Sequence, residues 1–315
     1  MADTIPGTEK IRLKDSFVEH YKQLLGKDYD RFMSTSFTYL NKSIRVNTLK
    51  ITVPELKSRL ENSWRLKQVP WCREGFWIAG ERTDIGNLPG HGLGYFYVQE
   101  AASMIPPVAL SPEPGEIVLD MCASPGSKST QIAAMMKNQG LLIANDINGE
   151  RMKPLGINLQ MAGVTNAVLT LSKGHRFNAL PGVFDRILVD APCSGTGAIR
   201  KSLKTLQIWN PFMVKRLAGT QKILIDTAFN ILKPGGVMAY STCSVEPEEN
   251  EAVVDSLLRR HANAEIEKID LEIKRSPCIT SYDGNTYRSE VSKCLRIWPF
   301  DNDTEGFFVA RIRKA

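Results

Sequence analysis

Three cysteines stand where a thiol could do chemistry. Cys122, Cys193 and Cys243 each follow, within one to four residues, a short apolar run of strand character: Ile117–Asp120, 186–189 and 237–240. Structural cysteines behave as small buried hydrophobes and prefer strand interiors, so three thiols on one rim point to a site. The first rim loop, Asp120-Met-Cys-Ala-Ser-Pro-Gly-Ser-Lys128, is built of small residues and feeds a predicted helix. Small side chains let a ligand approach backbone amides, and a helix N-terminus favours negative charge. Asp146, 26 residues beyond Asp120, follows the 141–145 run, where an acid commonly accepts hydrogen bonds from ribose hydroxyls. Neither G-x-G-x-x-G nor G-x-x-x-x-G-K-[ST] occurs, so the usual dinucleotide loop and the P-loop are both excluded. The pattern favours another adenosine-bearing cofactor. No C-x-x-C pair exists and there are only four histidines, so no metal site is expected.

A thiolate beside such a cofactor and an acid suggests one reaction in particular. Carbon 5 of cytosine is a poor nucleophile. Thiolate addition to carbon 6 makes carbon 5 enamine-like, and an acid near nitrogen 3 stabilises the charge that develops. Methyl transfer, loss of the carbon-5 proton and elimination of the thiol complete the cycle. The chain offers the required types in Asp190-Ala-Pro-Cys-Ser-Gly-Thr-Gly197 and Ser241-Thr-Cys-Ser244, the latter followed by the acidic run Glu246-Pro-Glu-Glu-Asn-Glu251. The residues alone do not rank Cys193 against Cys243 as nucleophile.

The elements that must position these groups are legible in outline. Strand runs at Ile117–Asp120, 141–145, Ala167–Leu171, 186–189 and 237–240 alternate with helical stretches such as 128–137 and 211–232. In the latter, Leu217, Leu224, Ala228 and Ile231 share a face, and Lys233-Pro-Gly-Gly236 should end it. Alternating strand and helix predicts an α/β fold, a mostly parallel sheet covered on both faces. A further strand, 306–312, is expected to run antiparallel. Residues 1–95 read as a smaller unit, with helices at Asp15–Leu25 and 54–61 and a strand at 43–49. The Gly/Pro-dense stretch 87–94 would join it to a catalytic unit at 96–315.

The 315 residues carry 40 Lys+Arg against 34 Asp+Glu, a net charge of +6. No apolar run approaches the roughly 20 residues that cross a bilayer, and Met1-Ala-Asp-Thr-Ile lacks the form of a signal peptide. A soluble, cytoplasmic protein is expected. Between Asp190 and Asp226 stand Arg200, Lys201, Lys204, Lys215, Arg216 and Lys222 with no acid, a candidate track for a nucleic-acid backbone. Trp64, Trp71 and Trp77 could stack on bases, with Arg45, Arg65 and Arg73 on phosphates, or could equally build the small unit's core. His20, His91, His175 and His261 show no partner spacing and read as structural.

DMCASPGSK, DAPCSGTG and STCSVEPEENE, in that order, resemble the Sun (Fmu/nucleolar-protein) family of S-adenosylmethionine-dependent RNA cytosine-5 methyltransferases. The resemblance extends to Ser43-Ile-Arg-Val-Asn-Thr48, Tyr97-Val-Gln-Glu-Ala-Ala-Ser103 and Thr304-Glu-Gly-Phe-Phe-Val-Ala310, and covers roughly residues 40 to 313. It implies a Rossmann-like class I methyltransferase core behind a small N-terminal α/β domain that helps hold RNA. It assigns the nucleophile to Cys243, product release to the second thiol Cys193, and the acid at the target base and cofactor to Asp190. It further places S-adenosylmethionine against Cys122, Ala123, Ser124, Pro125, Gly126, Ser127 and Lys128, with Asp146 on the ribose and Arg151 beside it. Where many members carry Asp-Gly, the Asp contacting adenine, this chain has Lys173-Gly174, so Ser172 or a backbone group is expected to serve. With no NusB-like or PUA domain, the chain most resembles the compact archaeal-type enzymes acting on tRNA, ribosomal RNA remaining the alternative. Arg45, Arg200, Lys201 and Lys204 are the expected RNA contacts, and a monomer is expected. Two other readings stay open: a DNA cytosine-5 methyltransferase attacking through Cys193, and a non-catalytic RNA-binding assembly factor.

Overall fold

The computed structural model describes residues 3–80 and 84–315. Its first unit runs through helices α1 (Asp15–Leu25) and α2 (Tyr29–Ser36), strand β1 (Ser43–Val46), helix α3 (Val53–Leu60), strands β2 (Arg65–Gln68) and β3 (Gly75–Ala79), the short helix α4 (Pro89–Gly92) and strand β4 (Phe96–Val98). The strands form an antiparallel sheet in the order β2-β3-β1-β4. A capping box starts α3: the Thr52 hydroxyl accepts from the Glu55 amide, and the Glu55 carboxylate accepts from the Thr52 amide. Ile44, Phe76, Ile78 and Phe96 pack with Leu56 and Leu60 of that helix. The expected 54–61 helix and 43–49 strand are therefore present, the strand shorter. The 87–94 stretch leads into β4, where Tyr97 pairs with Arg45 of β1. The first sheet thus extends past the expected division at residue 95, because a three-residue strand carries too little alternation to register in sequence.

The second unit follows with α5 (Ile105–Leu110), β5 (Ile117–Asp120), α6 (Ser127–Met135), β6 (Leu141–Asp146), α7 (Gly149–Ala162), β7 (Ala167–Leu171), β8 (Phe184–Asp190), α8 (Lys204–Ile208), α9 (Pro211–Ile231), β9 (Leu232–Thr242) and α10 (Glu251–Arg260). It ends with β10 (Ala264–Glu267), a small hairpin of β11 (Ser281–Tyr282) and β12 (Asn285–Thr286), β13 (Leu295–Ile297), α11 (Pro299–Asn302) and β14 (Phe307–Lys314). The sheet order is β10-β14-β9-β8-β5-β6-β7, with β13 also on β14. Strands β5 to β9 are parallel, and β14 lies antiparallel to β9. This is the class I methyltransferase architecture.

Helix α9 stops at Ile231, so Lys233-Pro-Gly-Gly236 follows its end as expected, and these residues lie inside β9. The partner register jumps from Phe184↔Leu232 to Arg186↔Val237, so these four residues bulge from the ladder. A side chain at 236 would come within 3.0 Å of Lys233 and Asp185 carbonyl oxygens.

Alternation along the strands divides the core. Leu119, Ile187, Val189, Met238 and Tyr240 face α9 and α10. Val118, Leu188 and Ala239 face α5 and α6 through Leu110, Ile132 and Met136. Each fully buried aliphatic side chain stabilises the fold by about 1.5–3 kcal/mol. Strand β5 lies between β8 and β6, so successive crossovers leave it in opposite directions. That opens a crevice beyond the carboxyl ends of the strands.

Candidate active site

The crevice is a cleft of about 280 Å³ lined by residues including Cys122, Ser124, Asp146, Arg151, Asp190, Cys193 and Cys243. Backbone bonds carry strand pairing past the end of β5: Met121 donates to the Leu188 carbonyl at 2.9 Å and Ala123 to that of Asn145 at 2.7 Å. The chain then turns through a cis Ser124–Pro125 peptide and Gly126, at φ 105°, into α6. Asp146 is buried and fixed by two amides, Ser124 to Oδ2 at 3.2 Å and Asn148 to Oδ1 at 3.0 Å. The Arg151 guanidinium donates to the Ser124 carbonyl and stands 3.8 Å from Asp146. On the β7 side a Cβ at Gly174 would fall 2.4 Å from Leu224 Cδ2 and 3.1 Å from Met121 Sδ, so a side chain there would displace the ends of two side chains that line the cleft. Ser172 and Gly174 line the cleft, while Lys173 is exposed. An acid fixed on one side, a glycine wall and a loop of small residues suit S-adenosylmethionine. Asp146 would hold its ribose, and Ser172 and Gly174 would flank the base. Of the 122–128 loop, Cys122 and Ser124 face the cleft, whereas Ala123, Pro125, Gly126 and Ser127 shape the turn behind it.

At the other end of the cleft the two motif thiols meet, with Cys193 Sγ 3.4 Å from Cys243 Sγ. The bond to Cys243, then burial, pushes the Cys193 thiol well above its ordinary range, so it keeps its proton. Burial and the nearby Asp120, Asp190 and Asp146 likewise keep Cys122 protonated. Lys128 does not line the cleft. It crosses from the first turn of α6 to Asp190, Nζ to Oδ2 at 2.7 Å, with Phe307 beneath it at 5.7 Å. Burial alone would lower this ammonium, but Asp190 and, more weakly, Cys243 raise it above its ordinary value. The Ser241 hydroxyl donates to the other Asp190 oxygen at 2.7 Å. Behind them, burial lifts Asp120 to about 7, one oxygen bonded to Ser129 and the other without a partner.

The acidic run after Cys243 is almost wholly interior. Glu246, Glu249 and Glu251 are each 0 % exposed. Glu249 accepts from the Ser194 amide and hydroxyl, the Ser244 hydroxyl and Gln221. One carboxylate therefore ties the Pro-Cys loop to the Thr-Cys loop. Glu246 accepts from Tyr21 at 2.6 Å and Trp209 at 2.8 Å and pairs with His20 at 2.7 Å, anchoring α1. Glu251 is bidentate to buried Arg296, which also donates to the Val245 carbonyl. The hydroxyls flanking both cysteines were the available sequence signal for Glu249. Close packing completes the loop, because Gly197 donates to the Cys243 carbonyl and Gly306 to that of Gly197, both at 2.9 Å. A Cβ at Gly197 would fall 2.2 Å from the Gly306 carbonyl oxygen.

Two expected RNA contacts are interior. Arg45, 3 % exposed, donates to Gln99, the Ser127 carbonyl, Gln131 and Thr130, bolting the first sheet to α6. Arg200, 5 % exposed, pairs with Asp303 at 2.7 Å and donates to the Thr38 and Tyr39 carbonyls. Both side chains are buried and, Arg45 Nε apart, their donors are engaged within the protein, so they are not surface phosphate contacts. Lys201 and Lys204 are exposed. Trp64 and Trp71 are core, while Trp77 is half-buried. His20 and His261 are held by Glu246 and Asp226.

Residues 107–313 match the family described as 16S rRNA methyltransferase RsmB/F, and residues 13–101 the N-terminal domain of 16S rRNA methyltransferase RsmF. The chain belongs to the RsmB/F family. It is an S-adenosylmethionine-dependent RNA cytosine-5 methyltransferase, as the three motifs implied. A tRNA (cytosine(49)-C(5))-methyltransferase of Pyrococcus abyssi is 45% identical over 96% of this chain and 97% of that protein. The ribosomal RNA small subunit methyltransferase F of Erwinia tasmaniensis is 41% identical over 98% of this chain, which spans 64% of its length. A crystal structure of a methyltransferase homologue from Pyrococcus horikoshii superimposes with a TM-score of 0.87 at 38% identity, covering 96% of this chain and 95% of that one. Among the described residues of this RsmB/F member no helix is long and apolar enough to cross a membrane.

Proposed function

We propose that this enzyme methylates cytosine in tRNA, with Cys243 as nucleophile and Cys193 as the releasing thiol. The observation that carries the reading is the 3.4 Å contact between the two motif sulfurs in the cleft that Asp190 also lines, and the ranking of the two thiols follows the Thr-Cys and Pro-Cys motifs. The Lys128 ammonium stands close enough to Cys243 to be raised by it. The Cys243 thiolate adds to carbon 6, forming an S–C bond and moving the carbon 5–carbon 6 electron pair toward carbon 5 and the ring. Asp190, held by Lys128 and Ser241, faces the pyrimidine edge, where it accepts from the exocyclic amino group and orients the ring. S-adenosylmethionine supplies an electrophilic methyl group. Carbon 5 then loses its proton to a base, and that electron pair re-forms the double bond as the Cys243–carbon 6 bond breaks. Cys193 lies close enough to return a proton to the departing sulfur.

The tRNA reading is supported by the Pyrococcus abyssi relative, which is named for tRNA and is 45% identical to this chain. Attack by Cys193, which a DNA-type mechanism would require, predicts residual methyl transfer by C243A.

C243A should abolish methyl transfer while retaining cofactor binding, and full methylation by that variant would overturn the assignment. C193A should accumulate a covalent RNA–protein adduct, seen as a slow band on a denaturing gel. Bisulfite sequencing of cellular RNA with and without the protein identifies the substrate and position.

A further inference from the structure

A second concavity, about 370 Å³, lies outside the catalytic cleft, between the free edge of the first sheet and the loop at Asn302–Asp303. Edge strand β2 presents Arg65 and Lys67 on one face, two residues apart, with Leu66 on the other. Lys67 pairs directly with Trp77 of β3, its ammonium 5.5 Å from the ring centroid. Trp71 holds the indole edge-on at 5.5 Å and 86°, yet Trp77 stays half-exposed. Lys42 adds a third cation to the lining. The acid there, Asp303, is already paired with buried Arg200 and accepts from Asn41, each at 2.7 Å. The groove therefore presents positive charge around an aromatic face.

The groove is also tied to the catalytic loop: from Asp303 the chain reaches Gly306 in three residues, and Gly306 bonds to Gly197, which bonds to the Cys243 carbonyl.

We propose that the groove holds the single-stranded RNA segment flanking the target cytosine, a neighbouring base stacked on Trp77 and phosphates against Arg65 and Lys67. Aromatic stacking with flanking cations is the general means of gripping unpaired nucleotides. Buried Arg200 acts indirectly, by neutralising Asp303. The inference rests on RNA being the substrate.

The test compares wild type with R65E/K67E, W77A and W77F, using a tRNA transcript and calorimetric S-adenosylmethionine binding as the folding control. R65E/K67E, exposed on an edge strand, should raise KM for RNA at least tenfold, leave kcat within twofold, and flatten the dependence of affinity on salt. W77A should raise KM and W77F largely restore it. 4-Thiouridine placed beside the target cytosine should crosslink within residues 65–79. Wild-type methylation with unchanged KM and salt slope in R65E/K67E, and no such crosslink, overturns the groove alone. Absence of RNA methylation and binding by wild type overturns the underlying reading instead.

Discussion

Lys128 shows how one side chain can belong to a motif for a different reason than its neighbours. It closes the DMCASPGSK loop, yet reaches past the cleft to Asp190 and is raised by that acid and by Cys243. A lysine whose folded value is raised stays charged through neutral pH and loses its contribution only above its ordinary range. The ammonium is therefore present throughout the working range and favours the thiolate it faces. K128M should slow methyl transfer by about 10²-fold or more. The rising limb of its pH–rate profile should move toward alkaline pH by about one unit. Initial rates across pH check both, with cofactor affinity as control. An unshifted profile would confine Lys128 to packing.

At the scale of elements, the two cysteine loops leave different strands, β8 and β9, and are brought into register by the carboxylate of Glu249. Burial raises this group to about 7, against the opposing bonds from Ser194, Ser244 and Gln221. A carboxyl raised on folding stabilises the protein below its unfolded value, and that contribution fades as pH climbs toward the folded value. Wild-type thermal midpoints should accordingly decline between about pH 4.5 and 7 on this account, and E249Q should decline less steeply. E249A, which strands the Ser194, Ser244 and Gln221 donors, should cost about 2 kcal/mol and most of the activity. Denaturant melts and rate assays test these, and equal slopes in wild type and E249Q would remove Glu249 from the pH response.

Across the whole molecule, the fastenings between the N-terminal unit and the catalytic unit include one at each end of the cleft. Arg45 enters the first turn of α6 beside the cofactor loop, and α1 grips Glu246 just past the nucleophile. Movement of the small unit would therefore be felt at both ends of the cleft. Burial draws Arg45 down to about 10, so it remains charged at neutral pH. R45M should lower stability by about 2 kcal/mol by leaving buried acceptors unpaired, and leave the salt dependence of RNA binding unchanged. A reduced salt slope would return Arg45 to the phosphate contacts.

The sequence by itself determined the strand–helix alternation, the rim on which Cys122, Cys193 and Cys243 sit, and the acid after β6, because period-2 apolar runs and loop composition are local signals. Three strongly patterned motifs were enough to imply the family and its chemistry. Tertiary structure decided which charges are solvent-facing. Arg45 and Arg200 look like phosphate contacts in a linear chain and are interior, because their partners at 127–131 and 303–304 are far away in sequence. The acidic run after Cys243 is buried because hydroxyl, indole, amide and guanidinium groups from α1, Ser194, Trp209, Gln221 and Arg296 converge on it. Only the folded chain also brings two sulfurs fifty residues apart to 3.4 Å, a distance set by the pairing of β8 with β9.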